Sequence, residues 1–363
     1  MVTREDILKA LSGVTDPVSG QNIVAAGLVQ GLVVRDGLVG FALEVPAARG
    51  RTAEPLRKAA EDAVSPLPGV LSVTAVLTAH SEPAPARHAH PHPPQTQGVA
   101  GIEGVGAVIA VASGKGGVGK STVAVNLALA LSQLGMKVGL LDADIYGPSV
   151  PRLLDIRTKP DSDGHKLKPI EKFGIKAMSM GFLVKEDEPM VWRGPMVQSA
   201  ITQMMNDVAW APLDVLVIDM PPGTGDAQLT IAQRVPLKGA VIVSTPQDIA
   251  LIDARKGIAM FRKTQVPILG IVENMSVFVC PHCGEESHIF GHGGARATAK
   301  ELGAPFLGEI PLVPAIRETS DAGTPIVAHR PESREAQSFL AIAQQVAEKI
   351  AASQRRAPTI VIE

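Results

Sequence analysis

Eight residues constrain this chain more than any others: Gly114-Lys115-Gly116-Gly117-Val118-Gly119-Lys120-Ser121. They follow the apolar run Ala107–Ala112, which reads as a buried strand, and precede Thr122–Leu134, an Ala/Leu-rich run that reads as a helix. A glycine-rich turn between strand and helix lets backbone N–H groups close around an anion, with the helix N-terminus aimed at the same point. The spacing is the phosphate-loop pattern G-x-x-x-x-G-K-[ST], with a second lysine directly after the first glycine. In that pattern Lys120 neutralises the β- and γ-phosphates of a nucleotide and the Ser121 hydroxyl ligates Mg²⁺. The expected nucleotide contacts therefore run from Gly114 through Lys115, Gly116, Gly117, Val118, Gly119, Lys120 and Ser121 to Thr122.

A chain of 363 residues is too long for one ordinary core and suits two domains. Residues 1–80 read as a small α/β module. Thr3 and Asp6 form a capping pair for a helix through Leu11. Gly27–Val34 and Gly37–Val45 read as strands around an Arg35-Asp36-Gly37 turn. Ala53–Val64 reads as a helix and Val70–Leu77 as a third strand. Residues 81–103 shift to proline and histidine, with His88, His90 and His92 alternating, the composition of a semi-extended solvated linker.

The second domain is expected over residues 104–353, with residues 354–363 as a tail. The apolar runs Val138–Leu141, Val215–Ile218, Ala240–Ser244 and Ile268–Val272 read as strands, separated in several places by helical stretches such as Ile249–Phe261. Continuous apolar strands alternating with helices predict a mostly parallel sheet covered by helices on both faces. A final helix over Ser333–Ala352 carries Phe339, Ile342, Ala343, Val346 and Ile350 at helical spacing, a core-facing stripe.

Composition narrows the function classes. Aromatics are 3 % and net charge is −2 with no basic block, so neither the stacking surface nor the electrostatic footprint of a nucleic-acid binder is present. No apolar run approaches the ~18 residues that span a bilayer, and the acidic start Met1–Asp6 carries no signal core. These features predict a cytoplasmic protein with neither a nucleic-acid nor a membrane partner. Two cysteines rule out a disulfide scaffold.

An ATP site needs acids at strand ends, to hold Mg²⁺ and to orient water. Asp219, after Val215–Ile218, fits the magnesium side together with Ser121. Asp144, in Leu141-Asp142-Ala143-Asp144, fits the water-orienting role, with Asp142 supporting it. A lone aspartate after a strand is about as often a cap; two beside a phosphate loop favour chemistry. Gly223-Thr224-Gly225-Asp226 extends the second acidic turn, where a γ-phosphate would be sensed. Asn274, read as following the strand Ile268–Val272, offers an amide to adenine's edge.

The lysine-doubled loop, Asp142-Ala143-Asp144-Ile145-Tyr146-Gly147-Pro148-Ser149, Asp219-Met220-Pro221-Pro222-Gly223 and Cys280-Pro281-His282-Cys283-Gly284 occur in one order. Together they resemble the Mrp/ApbC family of iron–sulfur carrier ATPases, within the deviant-Walker class of P-loop NTPases that includes MinD, ParA and the nitrogenase iron protein. Residues 1–80 resemble the small iron–sulfur assembly domain often fused ahead of it, with Thr15-Asp16-Pro17 as its opening. That domain often carries a cysteine; this one has none. The resemblance implies a homodimer in which Lys115 reaches the partner's phosphates. Lys120, Asp144 and Asp219 complete the catalytic set. It further implies a [4Fe–4S] cluster shared between subunits, received from upstream assembly proteins and delivered to apoproteins, with slow ATP hydrolysis coupled to transfer.

Cys280 and Cys283, the only thiols, are spaced C-x-x-C. A cubane cluster takes about four thiolates, so two chains meeting on a two-fold axis would supply the set. His288 and His292 follow at a spacing that makes a closed intrachain zinc site the rival reading. A redox pair and plain loop cysteines are the remaining readings. A MinD/ParA-like positioning ATPase is the rival function. It would be expected to show a basic amphipathic C-terminal helix or a basic stripe, and the sequence shows neither. An electron-transfer reductase like the nitrogenase iron protein usually draws its cluster cysteines from separate parts of the chain.

Overall fold

The computed structural model describes residues 2–35, 38–46, 54–70, 72–80, 101–162, 164, 166–183 and 194–354. Asp36 and Gly37 of the expected turn, linker positions 81–100 with their histidines, and the tail from 355 onward lie outside the described residues. The chain divides into two compact units, Met1–Gln95 and Thr96–Glu363.

The first unit runs α1 (Arg4–Leu11), β1 (Val29–Arg35), β2 (Leu38–Pro46), α2 (Glu54–Val64) and β3 (Ser72–His80). The Thr3 hydroxyl accepts from the Asp6 N–H while the Asp6 carboxylate accepts from Thr3 N–H, closing the capping box that the sequence predicts. β2 lies between β1, its antiparallel neighbour, and β3, its parallel one. Ile7 and Leu11 from α1 meet Leu56, Ala60 and Val64 from α2 over this sheet. The Thr15-Asp16-Pro17 segment is a loop organised by buried Asp16, whose carboxylate accepts from the N–H groups of Val18 and Ser19 at 3.3 and 3.1 Å.

In the second unit the strands and helices alternate. β4 (Val105–Ala112), α3 (Lys120–Gln133), β5 (Val138–Asp142) and α4 (Val150–Leu153) come first, then β6 (Ile170–Lys172), β7 (Ile175–Ser179) and α5 (Gly194–Asn206). β8 (Leu213–Asp219), α6 (Asp226–Arg234), β9 (Leu237–Ser244), α7 (Asp248–Lys263) and β10 (Ile268–Val279) follow. The chain continues through β11 (Glu286–Ser287), α8 (Gly294–Glu301), β12 (Phe306–Leu312), α9 (Pro314–Asp321), α10 (Ile326–His329) and α11 (Arg334–Gln354).

These strands form one nine-stranded sheet, ordered β11-β10-β9-β4-β8-β5-β7-β6, with β12 on the other edge of β10. All pairings are parallel except β6 with β7 and β10 with β11. Residues 107–112 of β4 are all buried, as the continuous apolar run requires of a strand covered on both faces. α3 is buried at every position from Val123 to Leu131, so it is a core helix rather than an amphipathic one. The stripe on α11, Phe339 to Ile350, is buried, and that helix rests on α3 and β12.

β4 is flanked by β8 on one side and β9 on the other, so the carboxyl ends of β5, β8, β4, β9 and β10 open onto one crevice. Register fixes the charges within it. Asp219 pairs with Val111 of β4 and with Asp142 of β5, which sets the two carboxylates side by side.

Candidate nucleotide site and cysteine turn

The loop Gly114–Ser121 joins β4 to α3 as expected, with Gly117 and Gly119 at φ 82° and 80°, a left-handed conformation that a side chain disfavours. A Cβ on Gly114 would lie 2.1 Å from the Asp253 carbonyl carbon, so the loop runs directly against the backbone of α7. A Cβ on Gly119 would lie 2.3 Å from Asn274 Nδ2.

Lys120 is buried and donates to the Asp219 carboxylate and, at 3.1 Å, to the Ser121 hydroxyl. Ser121 also hydrogen-bonds Asp219, so the three side chains form one cluster. The second carboxylate oxygen of Asp219, Oδ2, is buried and has no partner among the described residues. An acceptor left open in this way costs about 1–3 kcal/mol, which a bound donor would recover. The donor set fits Mg²⁺ with a nucleotide phosphate: a hydroxyl, a carboxylate with a spare oxygen, and an ammonium beside them. Ser121 and Asp219 would hold the metal. The metal would supply charge neutralisation at the phosphates.

Asp142 is a hub. Its Oδ1 accepts from Asp144 N–H at 3.1 Å; its Oδ2 accepts from Val150 N–H at 3.1 Å and from the Ser179 hydroxyl at 3.0 Å. It thus fixes both ends of the turn that carries Asp144. Burial first, and the Asp219 carboxylate second, push the Asp142 carboxyl up to about 7. Asp144 is half-buried and is raised by burial, with Lys120 pulling it back down. Lys115 is also half-buried, and its ammonium has no ion-pair partner among the described residues.

Three residues that the sequence reading passed over brace this site. Gln228 of α6 donates to the carbonyls of Ser113 and Pro221 at 3.3 and 2.5 Å, tying the start of the loop to the turn after Asp219. Ser179 holds Asp142, and Glu273 accepts from the N–H groups of Gly293 and Ala295 at 3.1 and 2.7 Å, capping α8 from β10. A glutamine near a helix start, a serine at a strand end and a glutamate inside a strand carry no local signal; only the tertiary contacts mark them.

Asn274 requires a correction. It does not follow a strand: β10 runs on to Val279, and Asn274 lies inside it, buried. Its Nδ2 donates to the Val118 carbonyl at 2.8 Å, so that amide nitrogen holds the phosphate loop. The extension escaped sequence reading because Glu273, Asn274 and Ser276 interrupt the apolar run, each serving a tertiary contact.

β10 leads straight into the cysteines. Cys280 N–H donates to Glu285 O at 3.0 Å and Gly284 N–H to Cys280 O at 2.9 Å, closing a tight turn between β10 and β11. The backbone N–H groups of Cys283, first, and His282 point at the Cys280 sulfur and lower its thiol below the ordinary range. Cys280 is half-buried and Cys283 exposed. Neither histidine completes this pair. The rings of His288 and His292 stack 4.4 Å apart. Among the described residues the group of three potential ligands within 4.8 Å of one another is Glu273, His292 and Glu309, with no cysteine in it. α8's N-terminus and Arg296 already occupy those two glutamates.

A parallel sheet with a glycine loop feeding a buried helix, and a lysine, a serine and two strand-end aspartates gathered at its carboxyl edge, defines a P-loop NTPase. A family model described as NUBPL iron-transfer P-loop NTPase matches residues 104–347, and one described as iron–sulfur cluster assembly protein matches residues 4–76. The chain belongs to the NUBPL iron-transfer P-loop NTPase family, preceded by an iron–sulfur cluster assembly domain. It is 44% identical over 359 residues, 96% of its length and 98% of the relative's, to the iron-sulfur cluster carrier protein of Synechocystis sp.. It is 55% identical over 260 residues to the iron-sulfur cluster transfer protein NUBPL of Dictyostelium discoideum, covering 71% of this chain and 80% of that one.

Among solved structures, a nucleotide-binding protein from Archaeoglobus fulgidus in complex with ADP, with cobalt found, is 41% identical with a TM-score of 0.58, covering 66% of this chain and 93% of that one. The cell division ATPase MinD of Pyrococcus furiosus shares the fold at 24% identity and a TM-score of 0.52, over 67% of this chain and 99% of that one. No described helix is long and apolar enough to cross a membrane.

Proposed function

We propose that this protein is an ATP-hydrolysing cytoplasmic carrier. Its cargo is a [4Fe–4S] cluster held between two copies of the chain by Cys280 and Cys283 of each, taken from upstream assembly proteins and passed to apoproteins. One observation carries the reading. The cysteine turn offers two sulfurs, one of them receiving backbone N–H groups as a thiolate does, and no third ligand joins them among the described residues. Two thiolates are half of what a cubane cluster takes, and a two-fold axis beside the turn supplies the other half. The intrachain zinc alternative needs His288 and His292 beside these sulfurs, and the structure gives it no support.

A homodimer also suits the surface around the nucleotide. Ile249 and Ile252 of α7, and Ile289 on the segment leading to α8, are 69, 53 and 58 % exposed. Gly294 at the start of α8 sits against Pro246 and Leu251, so these isoleucines lie on adjoining segments. Lys115, without an ion-pair partner among the described residues, is available to the phosphates of a second copy. Within each chain Lys120 and the loop N–H groups bind the phosphates, and Ser121 and Asp219 hold Mg²⁺. Asp144, oriented by Asp142, positions and polarises the attacking water.

Anaerobic reconstitution with iron and sulfide tests the reading. The expected product holds about four irons and four sulfides per two chains, absorbs broadly in the visible, and loses both properties in Cys280→Ser or Cys283→Ser. Protein that retains one zinc per chain and takes up no iron overturns it.

A further inference from the structure

Beside Cys280 the second unit has a cavity of about 640 Å³ that the nucleotide site does not use. It opens at the carboxyl ends of β10 and β12, under the first turns of α9 and α11, with Cys280 in its wall. Its apolar wall is built from Val277, Val279, Pro311 and Val313. The charged side chains of its wall are Glu309, Glu318 and Glu335 with Arg334, while from outside the wall Arg296 pairs with Glu309 at 3.0 Å and Arg317 with Glu318 at 3.4 Å. Arg334 leans toward Glu286, 3.8 Å away, and Glu335 has no ion-pair partner among the described residues.

We infer that this groove docks the cysteine-bearing segment of an acceptor apoprotein, one with basic residues beside its thiol. The inference rests on the carrier reading above. Three features of the groove choose that occupant. A cluster leaves by ligand exchange, so the incoming sulfur must reach the atom that Cys280 holds, and this cavity has Cys280 in its wall. The exchange balances without a redox partner: a bond from iron to the acceptor's sulfur forms as the bond to Cys280 breaks, and the acceptor's thiol proton passes to the departing Cys280 sulfur. The acidic lining favours lysine or arginine flanks, and association between opposite charges is steered electrostatically. A second copy is the poorer occupant, because a two-fold contact would set the same three glutamates against themselves. The exposed isoleucines of α7 and the α8 approach offer such a contact an apolar face elsewhere.

The test has an iron-free arm and a loaded arm. In the full-length Cys283→Ser protein, Cys280 is the only thiol. It is reacted with short peptides whose one cysteine is activated as a 2-thiopyridyl disulfide, flanked by lysines or by glutamates. The lysine peptide should react at least ~10-fold faster at low salt, with the ratio collapsing as salt rises. The double variant Glu318→Lys/Glu335→Lys should invert the preference. Ser338→Trp, which fills the groove, should slow the lysine peptide several-fold and leave 2,2′-dithiodipyridine unaffected. Equal rates for the two peptides, together with no effect of Ser338→Trp, overturn the inference. In the loaded arm, Glu318→Lys/Glu335→Lys should hold as much iron as wild type but transfer it more slowly to a purified apo-ferredoxin of the [4Fe–4S] class. Equal transfer overturns the groove and leaves the carrier reading standing. Failure of wild type to take up iron overturns the carrier reading, while the peptide selectivity still reports on the groove.

Discussion

The nucleotide site and the cysteine turn lie at opposite ends of one strand segment, and they are built in opposite ways. Asn274 of β10 holds Val118 of the phosphate loop, and six residues later the same strand has become Cys280. At the first end the central charged groups are buried and over-determined. Lys120, Asp142 and Asp219 are at most 6 % exposed, and Asp142 alone accepts three hydrogen bonds. At the second end a short turn presents two sulfurs, with no further ligand gathered from the described residues. The difference teaches what each site waits for. The buried charge cluster of Lys120, Ser121 and Asp219 is held together by contacts within one chain. The open pair of thiols is, on the proposed reading, half of a site.

The largest expected effect lies at the buried end. Asp144→Asn keeps the shape of the side chain and removes the charge proposed to polarise water. Steady-state ATP turnover should fall by ~10²–10⁴-fold while ATP still binds. Turnover within about twofold of wild type would make Asp144 structural and shift attention to Asp142 or Asp219.

Next comes Lys120→Ala. It removes the proposed phosphate contact, worth ~1.5–3 kcal/mol per charge-assisted hydrogen bond, and strands Asp219 in the core. Breaking a buried pair from one side costs about 3–5 kcal/mol, so denaturant unfolding of the nucleotide-free variant should show a loss of that order. The double variant Lys120→Ala/Asp219→Asn should recover much of the stability but not the affinity for Mg·ATP measured by calorimetry. If the double variant is no more stable than the single one, the charge pair is not what holds the empty site together.

A smaller effect follows pH. Burial raises Asp142, Asp144 and Asp219 alike, so the folded state holds these protons more tightly than the unfolded chain. For Asp142 the stabilisation is complete below the unfolded value near 3.8 and is lost as pH rises through about 7. Thermal unfolding of the nucleotide-free protein should therefore weaken from about pH 5 to about pH 7.5, with a slope of at most ~1.4 kcal/mol per unit for each group. Asp142→Asn should flatten that slope. An unchanged slope in the variant would remove Asp142 from the account.

The smallest expected effect belongs to the exposed end. His288→Ala should leave the iron content of the reconstituted protein unaltered within error, since its ring stacks on His292 rather than joining the cysteines. Loss of metal in this variant would close the gap between the two sites and make the cysteine turn complete in one chain after all.

Much of this was legible before any coordinates. The glycine loop between an apolar run and an Ala/Leu run names strand, turn and helix together, because few other sequences satisfy all three locally. The acids after Leu141 and Ile218 stand at strand ends because the apolar run stops there. The capping pair Thr3/Asp6 and the stripe on α11 are equally local, resting on a hydrogen bond three residues long and on helical spacing. Less legible were the short or interrupted elements. β6 and β7 carry too few apolar residues to stand out. β10 hides its second half behind Glu273, Asn274 and Ser276, whose partners lie in α8, the phosphate loop and β12.

The sequence by itself thus determined the kind of fold and the strand–loop–helix order around the glycines, and it singled out the aspartates and cysteines proposed to carry chemistry, because each of those rests on residue type and spacing along the chain. Only the tertiary structure decided how they act on one another. Register between β5 and β8 set Asp142 beside Asp219, and burial then raised both carboxyls. Folding brought Lys120 onto Asp219, Gln228 onto Ser113 and Pro221, and Asn274 onto Val118. It also kept His288 and His292 from joining the cysteines, a matter of where a turn points, which no spacing of C and H along a chain encodes.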